Sequence, residues 1–102
     1  KDTVRCLLNT VPAAVPGIAF LSGGQSDKEA STHLNAMNSL GIKLPWALTF
    51  SYGRALQQTA MQTWSGDSAK IDNAQQALLW RAKCNGSAAL GKYSDAMEKQ
   101  AA

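Results

Sequence analysis

A chain of 102 residues, 45% apolar and 17% charged, has the length and balance of one small folded domain, which excludes a disordered polymer. Its formal charge of +3 comes from ten basic residues, set singly along the chain, against seven acidic ones, so no basic stripe with interleaved aromatics marks it for nucleic acid. No apolar run approaches the roughly 20 residues that span a bilayer and no leader opens the sequence, so the expectation is a soluble, intracellular protein with no membrane partner.

Val4, Leu7, Leu8 and Val11 recur at helical spacing, so residues 2 to 11 read as an amphipathic helix closed by Pro12. It opens without a cap, as the end of an element that starts further upstream would. Pro16-Gly17 turns the chain into Ile18-Ala19-Phe20-Leu21, an unbroken apolar run of the kind found in parallel strands covered on both faces. Ser22-Gly23-Gly24 stops the run. Ser26 and Glu29 then form a capping-box pattern, and Ala30, Leu34, Met37 and Leu40 mark the buried face of a helix that Gly41 ends. A second strand is expected from Trp46 to Phe50. Leu56, Ala60 and Trp64 share the next helical stripe, and after a break at Gly66 a longer helix carries Ile71, Ala74, Leu78 and Ala82. From Gly91 the chain is small and polar and reads as a frayed tail. Cys6 and Cys84 lack metal or redox spacing and read as free thiols, and the single histidine, His33, reads as a packed or flanking residue.

The sequence repeats itself: Phe20-Leu21-Ser22-Gly23 and Phe50-Ser51-Tyr52-Gly53 share the form Phe-x-x-Gly, each where a strand gives way to a helix. That spacing suits one strand-helix unit with its return to a parallel strand. The resulting order is an α/β arrangement of two parallel strands with flanking helices. Such a sheet leaves both edges unpaired, so the chain is expected to be part of something larger. A barrel of about 250 residues, whose active site lies at the C-terminal ends of its strands, would accept two such units as roughly a quarter of its length.

The glycine loops have two readings, a tight turn or a phosphate cradle. Ser22, Gly23 and Gly24 after one strand, with Ser51, Gly53 and Arg54 after the next, would bring hydroxyls, backbone N–H groups, a guanidinium and two helix N-termini to one point. Arg54 sits at a helix N-terminus, where the dipole opposes a cation, and an anion between them would explain its placement. No lysine or carboxylate falls on or just after a strand, so no catalytic residue is expected here.

The stretches "TVPAAVPGIAFLSGGQSDKEASTHLNAMNSLG" and "PWALTFSYGRALQ" resemble the C-terminal part of class I fructose-1,6-bisphosphate aldolase, and the resemblance runs from Thr3 to Tyr93. It implies the C-terminal quarter of a (β/α)₈ TIM barrel. Residues 1–93 would be its seventh and eighth strand-helix units and 94–102 a C-terminal tail. It implies a lyase of glycolysis that cleaves fructose 1,6-bisphosphate to dihydroxyacetone phosphate and glyceraldehyde 3-phosphate through a lysine Schiff base. The family's phosphate-binding positions match Ser22, Gly23, Ser51, Gly53 and Arg54. The Schiff-base lysine and the acidic proton-transfer groups would lie upstream of Lys1, and no cofactor or metal is implied. The parent would be a homotetramer acting on sugar phosphates in the cytoplasm, with a plastid or other organelle left open. The sequence departs from the family at "YSDAMEKQAA", which lacks the C-terminal tyrosine many members use in proton transfer. Two rivals remain at this point: a non-catalytic phosphate-binding or scaffold module derived from the same barrel, and a helical interaction domain whose glycine turns are only turns.

Overall fold

In the structure, a computed structural model that describes residues 1–100, helices and strands follow one another in the expected order. They are α1 (Asp2–Thr10), β1 (Gly17–Leu21), α2 (Asp27–Asn38), β2 (Ala47–Ser51), α3 (Arg54–Trp64), a 3₁₀ turn (Ser68–Lys70), α4 (Ile71–Ala89) and α5 (Ala96–Gln100). The two strands pair in parallel, in register from Gly17 beside Ala47 to Leu21 beside Ser51. Phe20 therefore stands beside Phe50, with ring centroids 5.9 Å apart. The repeated Phe-x-x-Gly is a structural repeat, because each copy leaves the sheet at the same level.

Side chains alternate between the faces of the sheet. On one face Leu48 and Phe50 are buried and Ile18 and Phe20 half-buried, in a core that Ala30, Leu34 and Met37 of α2 and Cys84 and Ala88 of α4 share. Complete burial of a Leu34 or Leu48 side chain contributes about 1.5–3 kcal/mol. On the other face Ala19, Leu21, Ala47, Thr49 and Ser51 are exposed, and Leu21 retains 82% of its accessible surface. No element among the described residues lies over this second face.

The buried face of α4 is not its apolar stripe. The helix was expected to carry Ile71, Ala74, Leu78 and Ala82 as its apolar stripe; Ile71, Leu78 and Ala82 are exposed, while Arg81, Cys84, Asn85 and Ala88 face inward. Two polar residues on the buried face disguise it. Ile71, Ala74 and Leu78 instead line an open groove of about 350 Å³ against Ala60, Met61 and Trp64 of α3.

Helix α2 stops at Asn38, short of Gly41. The Asn38 amide donates to the carbonyls of Leu34 (3.1 Å), Leu48 (3.4 Å) and Ala88 (3.3 Å), joining α2, β2 and α4 at one point. Gly91 closes onto this corner. Its φ of +71° and a backbone so near that an added Cβ would stand 2.6 Å from the Asn38 carbonyl oxygen leave room for glycine alone.

The segment after Gly91, expected to be frayed, is docked through Glu98. Tyr93 is buried, its N–H donates to Asn35 Oδ1 (2.9 Å), and its hydroxyl donates to Glu98 Oε1 (2.6 Å). Arg81 grips the Glu98 carboxylate from both ends, at 2.9 and 2.7 Å, and Trp80 Nε1 donates to the Met97 carbonyl (2.9 Å). Low hydrophobicity concealed an anchor made of hydrogen bonds. Residues 101–102 of the expected tail lie outside the described residues.

Candidate functional site

At the C-terminal ends of both strands a cavity of about 460 Å³ is lined by Ser22, Gly23, Ser51, Gly53 and Arg54, together with Leu21 and Tyr52. Five of the six residues singled out from the sequence for anion binding meet there, all but Gly24. Parallel pairing in register explains why: it brings the two strand ends to one level, so the loops that follow must share a mouth. Ser22 is 5% exposed and its Oγ donates to the Ser51 carbonyl at 3.4 Å, holding the two loops together.

The three glycines of the two loops have different work. Gly24, with φ +81°, occupies the left-handed corner of a turn in which the Gln25 N–H donates to the Ser22 carbonyl at 3.1 Å, and it does not line the cavity. Gly23 and Gly53 do line it, and a Cβ added to either would meet no protein atom within 4 Å. Gly24 thus makes the turn, and Gly23 and Gly53 leave the cavity wall open.

Helix α3 begins at this wall. Leu56 and Gln57 donate to the Gly53 carbonyl, each at 3.1 Å, but among the described residues the N–H groups of Arg54 and Ala55 have no acceptor and no side chain caps the helix. No acidic residue stands in its first turn. Arg54 is exposed and forms no salt bridge among the described residues. Unpaired N–H groups, the positive end of the helix dipole and a guanidinium are a receptor for an anion.

Helix α2 differs. Its Ser26 Oγ accepts from the Glu29 N–H (3.2 Å) and the Glu29 carboxylate accepts from the Ser26 N–H (3.1 Å), while Asp27 and Glu29 place negative charge in the first turn. A side chain caps this end, and its two carboxylates disfavour an anion there. Two helix N-termini were expected to converge on one point; of the two, only that of α3 lines the cavity.

The cavity holds no lysine and no carboxylate among its lining residues. Tyr52 is its only other ionisable group, and burial pushes that phenol up to about 12, so it stays protonated near neutral pH. Two hydroxyls, a guanidinium and open backbone are the polar groups this wall offers to an anion. His33 is exposed with Nδ1 2.8 Å from Gln25 Oε1, Cys6 is exposed and Cys84 buried, each as a flanking or free residue.

Sequence reading missed a second polar centre behind the site. Arg81 Nη2 donates to Ser31 Oγ at 2.6 Å, and Ser31 Oγ lies 2.6 Å from Asn85 Oδ1, all three residues being buried. Burial opposes the charge of Arg81, but the hydrogen bonds and charge of Glu98 outweigh it and raise the guanidinium pKa. Those bonds in turn hold the Glu98 carboxyl below its ordinary range. The only signal in the sequence was Arg81, Cys84, Asn85 and Ala88 at i, i+3, i+4 and i+7, a helical stripe that the two polar residues hide.

The family model described as fructose-bisphosphate aldolase class-I matches residues 1–102. Among curated relatives, the Arabidopsis thaliana protein named fructose-bisphosphate aldolase 4, cytosolic, is 59% identical over 93 residues, which is 91% of this chain and 24% of the relative. A Spinacia oleracea cytoplasmic isozyme is 58% identical over 91 residues (89% of this chain, 26% of the relative), and the Dictyostelium discoideum aldolase 56% over 94 (92% and 26%). A solved structure of fructose-bisphosphate aldolase from Plasmodium falciparum, in complex with TRAP and a small molecule inhibitor, superposes with a TM-score of 0.85 at 55% identity. It covers 90% of this chain and 26% of that one. This chain spans about a quarter of the length of the curated relatives it matches. With a family model matched from end to end and a shared α/β structure of two parallel strands, the chain belongs to the class-I fructose-bisphosphate aldolase family.

Proposed function

We propose that this chain is the C-terminal quarter of a (β/α)₈ barrel, with residues 1–93 as its seventh and eighth strand-helix units, and that it supplies the substrate phosphate site of a Schiff-base aldolase. The observation that carries this reading is the meeting of Ser22, Gly23, Ser51, Gly53 and Arg54 in one cavity at the C-terminal strand ends, beside the uncapped N-terminus of α3. In a barrel that is the face where substrates bind, and the loops after the last two strands are a recurrent phosphate site. The exposed sheet face of Leu21, Thr49 and Ser51 would then look into the barrel interior.

The parent enzyme cleaves fructose 1,6-bisphosphate to dihydroxyacetone phosphate and glyceraldehyde 3-phosphate. Ser22 and Ser51 hydroxyls, backbone N–H groups near Gly23 and Gly53, and the Arg54 guanidinium hold the phosphate nearest the reacting carbonyl carbon. Fixing that phosphate fixes the carbonyl against the lysine that attacks it, and this positioning is what the segment contributes to the rate. The lysine and the proton-transfer carboxylates belong to strands upstream of Lys1, in keeping with a cavity that has neither. The cytosolic and cytoplasmic names of the relatives favour a cytoplasmic setting. Homotetrameric assembly belongs to the same reading and rests on the family resemblance.

Borohydride reduction in the presence of dihydroxyacetone phosphate tests the proposal. In the full-length protein carrying this chain, a trapped adduct should map to a lysine upstream of Lys1. An adduct on Lys28, Lys43, Lys70, Lys83 or Lys92, or no adduct in a protein that binds the substrate, would overturn it.

A further inference from the structure

The N-terminus of α2 does not line the cavity, yet its first residue reaches the helix whose N-terminus does. The Thr59 hydroxyl of α3 donates to Asp27 Oδ2 at 2.5 Å, and among the described residues this is the one side-chain hydrogen bond from α3 to another element. Asp27 directly follows Ser26, the N-cap that ends the loop carrying Ser22 and Gly23, while α3 begins with Arg54 at the end of the loop carrying Ser51 and Gly53. The bond thus joins the helix after one cavity loop to the helix after the other.

The fold holds these two helices unequally. Helix α2 buries Ala30, Ser31, Leu34 and Met37, and its first turn is fixed from α4, because Arg81 Nη2 donates to Ser31 Oγ at 2.6 Å and that oxygen lies 3.2 Å from the Asp27 carbonyl. Of the eleven residues of α3 only Ala55 is buried, and Met61 and Trp64 near its far end face α4 across an open groove. A helix with so little buried surface has few contacts to fix its direction. The Ser22 Oγ bond to the Ser51 carbonyl ties the strand ends together but lies ahead of Gly53, so it does not set the angle at which α3 leaves. Thr59, on the second turn of α3, is placed to do so.

We propose that Asp27 and Thr59 are positioning residues of the anion cavity, their hydrogen bond holding α3 at the angle that keeps the free N–H groups of Arg54 and Ala55 turned toward the Ser22–Gly23 loop. The inference rests on the cavity being a phosphate site, as proposed above. A hydroxyl bonded to a carboxylate makes a stronger contact than one bonded to a neutral acceptor. An anion gripped by groups from two separate loops is sensitive to their relative placement, because each hydrogen bond weakens steeply with misalignment. Asp27 therefore acts on phosphate in two opposed ways. Its charge disfavours the anion, while its bond to Thr59 assembles the receptor.

That opposition makes the role measurable in the full-length protein carrying this chain, through the affinity for inorganic phosphate and the melting temperature of each variant. Thr59→Val keeps the shape of an exposed side chain and removes its donor, so it should weaken phosphate binding several-fold with little change in melting temperature. Thr59→Ser should restore the affinity. Asp27→Ala should weaken binding although it removes a negative charge, Asp27→Asn, which keeps an acceptor, should bind at least as well as the wild type, and Asp27→Ala should add no further loss to Thr59→Val. Unchanged affinity in Thr59→Val, tighter binding in Asp27→Ala, or additive losses in the double variant would overturn the proposal while Arg54→Ala still weakens binding. Unchanged affinity in Arg54→Ala as well would overturn the phosphate site itself, and the positioning role with it.

Discussion

The two strand-loop-helix units of this chain share a repeated sequence, a register and a phenylalanine pair, yet only the second starts its helix without a side-chain cap at the wall of a cavity. In the first, Ser26 caps the Glu29 N–H of α2, Glu29 accepts from the Ser26 N–H, and Asp27 and Glu29 add charge of the wrong sign for an anion. In the second, Gly53 precedes α3, no side chain caps it, and Arg54 stands at its first position. The difference lies in three or four residues after the glycine. A strand end followed by glycine fixes where a loop goes, and the capping chemistry beyond it decides whether the helix dipole is spent within the fold or left for a substrate.

Both units stand on the same floor, so the largest effect should come from breaking it. Trp46, 3% exposed at the opposite end of β2 from the cavity, should cost about 3–5 kcal/mol on Trp46→Ala, read from denaturant unfolding of the full-length protein. Substrate affinity of the folded fraction should be unchanged, and a selective loss of affinity at full stability would place Trp46 in the site.

Removing the C-terminal anchor comes next. Glu98→Ala leaves Arg81 buried without its partner and should destabilise by about 3 kcal/mol. The same contact has a pH signature. The folded-state pKa of Glu98 is lowered by the Arg81 hydrogen bond, so its contribution is fully present above the ordinary carboxylate pKa near 4 and is lost as the pH falls through the lower folded value. Tyr93 and Lys28 also favour the charged carboxylate. Stability of the wild type should therefore fall more steeply in acid than that of Glu98→Gln, and parallel acid profiles would remove the contact from the stability of the fold.

Affinity should separate the units more finely. Arg54→Ala removes a charge-assisted contact of about 1.5–3 kcal/mol and should raise the Michaelis constant for the bisphosphate about ten- to a hundredfold, with little change in melting temperature. Gly23→Ala should lower phosphate affinity while leaving stability within about 0.5 kcal/mol, because the new methyl meets no protein atom and projects at the cavity wall. Ser26→Ala should do the reverse, costing about 1 kcal/mol of stability with no loss of phosphate affinity. If Ser26→Ala weakened phosphate binding as much as Gly23→Ala, the contrast between the two helices would be wrong.

Much of this was legible in the sequence. Apolar runs, turn glycines and the Ser26–Glu29 pattern place α1, β1, α2, β2 and α3 within a residue or two, because each is set by local chemistry. The cavity was legible for the same reason, since its residues follow directly on the strands. The buried face of α4 was not, because Arg81 and Asn85 are buried by partners distant in the sequence, Glu98 and Ser31. The anchored segment after Gly91 was hidden likewise: its hold comes from hydrogen bonds to α2 and α4, which no hydrophobic pattern announces.

A crystal structure of the full-length protein carrying this chain, grown with inorganic phosphate, tests the central claim most directly. The anion should sit in the cavity against the free N–H groups of Arg54 and Ala55, within reach of the Arg54 guanidinium and between the Ser22 and Ser51 loops. A phosphate bound instead at the first turn of α2, around Ser26 and Lys28, or a cavity left unfilled at saturating phosphate, would contradict it.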